Sequence, residues 1–170
     1  DNWAWGDSYN VPLEDMVTVA ETALKNGYTL AWGADVSEKG FNFRQGIAIV
    51  PEDESTIQTR GKDNKSFNDA GAAKSSNAFL EPVKEKVVTQ ELRQDGYDGK
   101  VTTDDHGMHI IGLAKDQTGK EYYIVKNSWG ETNDYKGFLF VTKNFVKYKT
   151  TALLVNKGGI PAEIAKKLGV

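Results

Sequence analysis

Two side chains in this sequence could share acid–base chemistry. One is an imidazole, His106, in Asp105-His106-Gly107-Met108. The other is a carboxamide, Asn127, in Lys126-Asn127-Ser128-Trp129-Gly130. A carboxamide oxygen beside a ring nitrogen fixes the imidazole in one tautomer and orientation. The ring can then act as a general base or as the cation of an ion pair. An indole lying over that hydrogen bond, here Trp129, would exclude water and strengthen it. A nucleophile–histidine pair needs this arrangement together with the nucleophile itself. The chain has no cysteine, so a thiolate nucleophile, a disulfide and a thiolate metal site are all excluded within it.

Each of these residues also has a plainer role open to it. Trp129 could simply pack, and shielding the His–Asn contact is itself packing. Asp105 either affects the charge on the histidine or caps a turn. Asp35, at the end of an apolar run, either lines a cleft or serves the turn that follows. His106 and His109 form an H-x-x-H pair, but residues three apart on a strand point to opposite faces. With no evident third ligand, no metal is expected, a metallohydrolase is a distant alternative, and His109 is read as structural.

The elements that must position the trio are strands. The runs 106–114 and 121–127 flank the turn-rich segment 115–120, a β-hairpin signal. If those six residues close the hairpin, Ala114 opposes Glu121. His106 then faces Trp129, on the same side of the sheet as Asn127. A slip of one residue would send His106 to the other face. Further strands are predicted over 28–36, 137–142 and 151–155, and a short apolar run covers 47–50.

Helical spacing of Leu13, Met16, Val17, Ala20 and Leu24 predicts a helix over 11–26 that stops at Asn26-Gly27. A second helix is expected over 81–94, starting near Pro82, and a closing helix over 161–168. Residues 52–78 are polar and lack an apolar period, so they read as a long surface insertion. Asn64-Lys65-Ser66 in it matches a glycosylation acceptor, a pattern too short to weigh heavily. The expected organisation is one unit over 1–155 and a terminal helix with a short tail over 156–170.

The composition is that of a globular protein: 39% hydrophobic, 26% charged and a net charge of −3 over 170 residues. No dense basic run suggests a nucleic-acid partner, and no apolar run reaches the length of a membrane span. The first residues, Asp1-Asn2-Trp3, show no signal-peptide pattern. The compartment is not legible here.

The two motifs carry a family resemblance. Asp105-His106-Gly107-Met108 resembles the histidine motif of papain-like cysteine peptidases, and Asn127-Ser128-Trp129-Gly130 resembles their asparagine motif. The helix at 11–26, the run Tyr28–Val36 and the strand Gly137–Phe140 are similar to their surroundings in that fold. Leu154-Val155-Asn156 through Ile160-Pro161-Ala162-Glu163 is similar to the tail of the bleomycin hydrolase and aminopeptidase C branch.

The resemblance implies an α+β fold, the C-terminal half of a papain-like enzyme, with an antiparallel barrel-like sheet and packed helices. It implies His106 and Asn127 as catalytic residues with Trp129 and Asp105 in support. The complete protein would be a cysteine peptidase acting on peptide bonds, an aminopeptidase of the bleomycin hydrolase type, without a cofactor. Its nucleophilic Cys and oxyanion Gln would lie on a missing N-terminal half, so this chain alone is expected to be inactive. The branch further implies a homo-oligomer, a hexamer, in the cytoplasm. The alternative is a non-catalytic papain-like module for peptide binding or assembly.

Overall fold

The computed structural model describes residues 8–57 and 77–170. The acceptor Asn64 and most of the polar insertion lie outside the described residues.

The first helix, α1 (Leu13–Lys25), forms where the apolar spacing predicts it. It buries Leu13, Val17, Ala20 and Ala23 and carries Glu14 and Asp15 in its first turn, where carboxylates offset the exposed N–H groups. Gly27, at φ 82°, turns the chain out of the helix, a conformation that costs glycine little.

Seven strands follow: β1 (Leu30–Ala34), β2 (Phe41–Asn42), β3 (Ile47–Ala48), β4 (His106–Lys115), β5 (Glu121–Lys126), β6 (Phe138–Thr142) and β7 (Thr150–Val155). They form one sheet in the order β2-β3-β6-β5-β4-β1-β7. Every pairing is antiparallel except β3 with β6, which is parallel. The fold is α+β as expected, but the sheet is open: β2 and β7 are its two ends, so no barrel closes.

One face of the sheet holds the core. Leu30, Trp32, Ile110, Tyr123, Val125, Leu139, Val141 and Phe145 are essentially fully buried there, beneath α1. Burying such side chains contributes roughly 1.5–3 kcal/mol each. Trp32 also donates from Nε1 to Thr150 Oγ1 at 2.8 Å, which ties β1 to the start of β7.

Two helical expectations need correction. The helix expected over 81–94 is instead α2 (Gln90–Asp98), capped by Thr89, whose hydroxyl accepts from Leu92 N at 3.2 Å. The residues before it run extended beside 50–52. Lys86 N donates to Val50 O at 2.9 Å and Glu52 N to Lys84 O at 3.0 Å. Glu85 turns inward and accepts from Val50 N and Thr142 Oγ1. Tertiary pairing thus claims the backbone groups that a helix would have used internally.

The helix α3 (Lys143–Lys149) was not foreseen. It is short and carries three lysines, so its apolar period is weak. Thr142 caps it through a bond from Phe145 N, and Phe145, Val146 and Tyr148 anchor it. The last helix, α4 (Ala162–Leu168), closes the chain where expected and ends on Gly169 at φ 72°. No helix among the described residues is long and apolar enough to cross a membrane.

Candidate active site

The β4–β5 hairpin decides which way His106 points. Near its loop the pairs are Lys115↔Glu121, Ala114↔Tyr122, Leu113↔Tyr123 and Gly112↔Ile124. The expected pairing of Ala114 with Glu121 is therefore off by one. The turn is tighter than expected because Asp116 organises it, its Oδ1 accepting from the backbone N–H of Thr118 at 2.8 Å and of Lys120 at 3.0 Å.

A β-bulge at Ile111 then adds one residue on β4. Beyond it the pairs are Ile110↔Val125 and His109↔Lys126, the register expected from the sequence. Ile110, Met108 and His106 consequently share the core side of the sheet, while His109 is exposed on the other. Without the bulge, His106 would face outward. The opposite facing of His106 and His109 also removes the geometry for a shared metal.

β5 ends at Lys126, so Asn127 is the first residue of the following loop. Its backbone N–H donates to Gly137 O at 3.0 Å, which closes the loop 127–137 at its base. Its side chain is buried, 5% exposed, and Oδ1 lies 2.8 Å from His106 Nε2. The same Oδ1 accepts from Ser128 N at 2.7 Å. A backbone N–H can only donate, so the atom it meets is the carboxamide oxygen. His106 Nε2 must then carry the proton, and its lone pair lies on Nδ1, which takes no hydrogen bond among the described residues. The site orients an imidazole and leaves its unprotonated nitrogen open.

Trp129 lies against His106 with ring centroids 4.9 Å apart and planes tilted by 33°. It is 44% exposed, so it covers the His–Asn contact from the solvent side. Its edges are held by Phe41 at 5.9 Å and Phe43 at 5.2 Å, both near-perpendicular contacts. Neither phenylalanine was singled out from the sequence. Their alternation, Phe41-x-Phe43 ahead of a strand, was the available signal, since alternate residues on an extended chain share a face.

Among the described residues Asp105 forms its hydrogen bonds away from the imidazole. Its Oδ2 accepts from Ser37 Oγ at 2.6 Å and its Oδ1 from Thr103 Oγ1 at 2.6 Å. Asp35, 1% exposed, sits beside it and accepts from Ser37 N at 3.0 Å and Thr103 N at 3.1 Å. Burial pushes the Asp35 carboxyl up to about 6, and its hydrogen bond with Asp105 adds to the rise. Burial opposes ionisation of Asp105 too, but hydrogen bonds from Ser37 and Thr103 outweigh it and hold that carboxyl below the usual range. The pair thus takes up a proton on Asp35 and keeps Asp105 ionised.

The fully buried Lys149 backs this cluster. Its ammonium bonds Glu38, Val101 O and Thr102 Oγ1 and lies 3.7 Å from Asp35 Oδ2. Because Ala34 pairs with His106, the cluster braces the strand end that carries the histidine. Ser37, Thr103 and Lys149 were not identified from the sequence, for they are distant along the chain and meet only when β1, β4 and β7 align.

A family model described as papain family cysteine protease matches residues 45–155 of the chain. Cathepsin L1 of Drosophila melanogaster is 45% identical over 40 residues, 24% of this chain and 11% of that protein. Thiol protease SEN102 of Hemerocallis sp. is 31% identical over 78 residues, 39% of this chain and 22% of that protein. The crystal structure of PepW from Lactobacillus rhamnosis superposes with a TM-score of 0.58 and 18% identity, covering 93% of this chain and 30% of that one. That likeness is one of fold. The chain spans less than a third of the length of each of these proteins.

Proposed function

The chain belongs to the papain family of cysteine proteases, and on that basis we propose that it supplies the histidine–asparagine part of a cysteine peptidase active site. The observation that carries this reading is the 2.8 Å contact between His106 Nε2 and Asn127 Oδ1, which leaves Nδ1 free to meet a thiol. The chain has no cysteine, so the nucleophile comes from residues outside it.

In this reading the thiol gives its proton to His106 Nδ1, and the thiolate attacks the peptide carbonyl carbon. The imidazolium returns the proton to the leaving amine, and the C–N bond breaks to leave a thioester. A water then attacks that thioester, again giving its proton to Nδ1, and the acid leaves as the S–C bond breaks. Asn127 holds the ring through both halves of the cycle, and Trp129 keeps water from the bond that does so.

The finer reading is an aminopeptidase of the bleomycin hydrolase type, supported by the similarity of the segment from Leu154 to Glu163 to that branch. The same resemblance supports a hexameric assembly of the complete protein. The second reading, a peptide-binding module without turnover, is favoured by the absence of cysteine alone.

Expression with the cysteine-bearing segment separates the readings. The combined protein should hydrolyse peptides, lose activity on thiol alkylation, and lose it again with His106→Ala, whereas the chain alone should be inactive. Faster cleavage of substrates with a free α-amine than of N-blocked ones would support the aminopeptidase reading. Activity that survives His106→Ala would overturn the assignment of the base.

A further inference from the structure

The loop 127–137 carries both Asn127 and Trp129, yet it belongs to no helix or strand. Its shape therefore depends on side chains. Besides Asn127, the buried polar side chain inside it is Asn133, which is 6% exposed. Its Nδ2 donates to Phe43 O at 2.9 Å and to Phe138 O at 2.9 Å, and its Oδ1 accepts from Gly137 N at 2.7 Å. Both amide hydrogens and the oxygen are engaged, which is near the capacity of a carboxamide.

Each bond leads to a part of the site. Gly137 accepts the backbone N–H of Asn127 at 3.0 Å through its carbonyl. Gly137 also adopts φ 87° and passes so close to Gly130 that a Cβ on it would lie 2.8 Å from Gly130 O. Gly130 follows Trp129. Phe43 packs its ring on Trp129 at 5.2 Å. One carboxamide thus holds the peptide that receives Asn127 and the β2–β3 turn whose Phe43 supports Trp129.

We propose that Asn133 is a positioning residue for the His106–Asn127 pair, acting through Gly137 on Asn127 and through Phe43 on Trp129. This rests on reading His106 as the active-site imidazole. Asn133 touches neither the imidazole nor any reacting atom. A residue used only for stability would loosen the whole sheet, whereas a positioning residue changes the histidine ring ahead of the strand that carries it.

The chain has only two histidines, His106 and His109, on opposite faces of β4. Ring-selective ¹⁵N NMR of the full chain therefore reads the site against an internal control. In the wild type the Nε2–H of His106 should exchange slowly, because it is bonded to a buried oxygen under an indole. Asn127→Ala sets the fully uncoupled rate. Asn133→Ala should raise Nε2–H exchange at least tenfold toward that rate, with the His109 ring signals and the exchange of the Ile110 and Val125 amides within twofold of wild type.

Should Asn133→Ala fail to fold, Asn133→Gln keeps the amide but moves it by one methylene, and the same specific rise in exchange is expected. If either folded variant leaves His106 exchange within twofold of wild type, Asn133 does not position the pair. Equal loosening of His106, His109 and the strand amides would equally overturn the proposal, by showing a structural role. Because these signals come from the ring and not from turnover, they stand or fall separately from the peptidase reading.

Discussion

Asp35 makes a testable claim about stability and pH. In the folded chain burial raises its carboxyl from 3.8 to about 6. A carboxyl whose pKa is raised on folding binds its proton more tightly in the folded state. The stabilisation is then present at low pH and fades as pH rises through the folded value, the reverse of the usual salt-bridged aspartate.

The full shift corresponds to about 3 kcal/mol, at 1.36 kcal/mol for each pH unit. Between pH 7 and pH 5 the linkage relation yields a gain of roughly 1 kcal/mol from this group alone. Glu21 and Glu121 are displaced in the opposite direction by their contacts with Lys143, so the raw pH profile of the chain mixes both signs. Asp35→Asn isolates the contribution of this carboxyl.

Urea unfolding of wild type and Asp35→Asn at pH 5, 6 and 7 should show a stability difference that shifts by roughly 1 kcal/mol in favour of wild type as pH falls. Asp105 adds little in this window, because its folded value lies below the usual range and its contribution is lost only at more acid pH. A stability difference that stays flat from pH 5 to 7 would refute the assignment of a raised pKa to Asp35.

Other perturbations follow from single contacts. Glu85→Ala leaves the Val50 N–H and Thr142 hydroxyl without their buried acceptor, and should destabilise the chain by about 2 kcal/mol in denaturant titration. Gly137→Ala combines a φ of 87° with a 2.8 Å approach to Gly130 O. It should lower the melting temperature and raise His106 Nε2–H exchange together, by differential scanning calorimetry and NMR. Thr89→Ala removes the cap of α2 and should cost about 1 kcal/mol, with His106 exchange unchanged. Removing the bulge by deleting Ile111 should turn His106 outward, so that a folded variant would show fast Nε2–H exchange and no ring contact with Trp129.

Much of this protein is dictated locally. The α1 period, the apolar run of β1, the strands on either side of Asp116 and the closing helix depend on residues within a turn or two of each other, so sequence patterns report them directly. The motifs around His106, Asn127 and Trp129 were legible because each is contiguous in the sequence, but the bulged hairpin register that brings them together was not. The lack of a cysteine likewise follows from the sequence alone.

What remained hidden depends on residues far apart in the chain. Whether 82–89 is helical or extended was decided by 50–52, whose backbone takes the Lys86 N–H and Lys84 carbonyl that a helix would have used, and by Val50 and Thr142, which hold the Glu85 carboxylate inward. The bulge at Ile111 was decided by the competition between a tight Asp116 turn and the need to keep Ile110 and Met108 in the core. Local propensity favours the turn, burial favours the core, and one extra residue on β4 satisfies both. That same residue is what brings His106 to Asn127. The Asp35–Asp105 pair, the buried Lys149 behind it and the clamp at Asn133 are in turn meetings of separate elements. Their energies depend on burial and on hydrogen-bond partners that exist only once the sheet has formed.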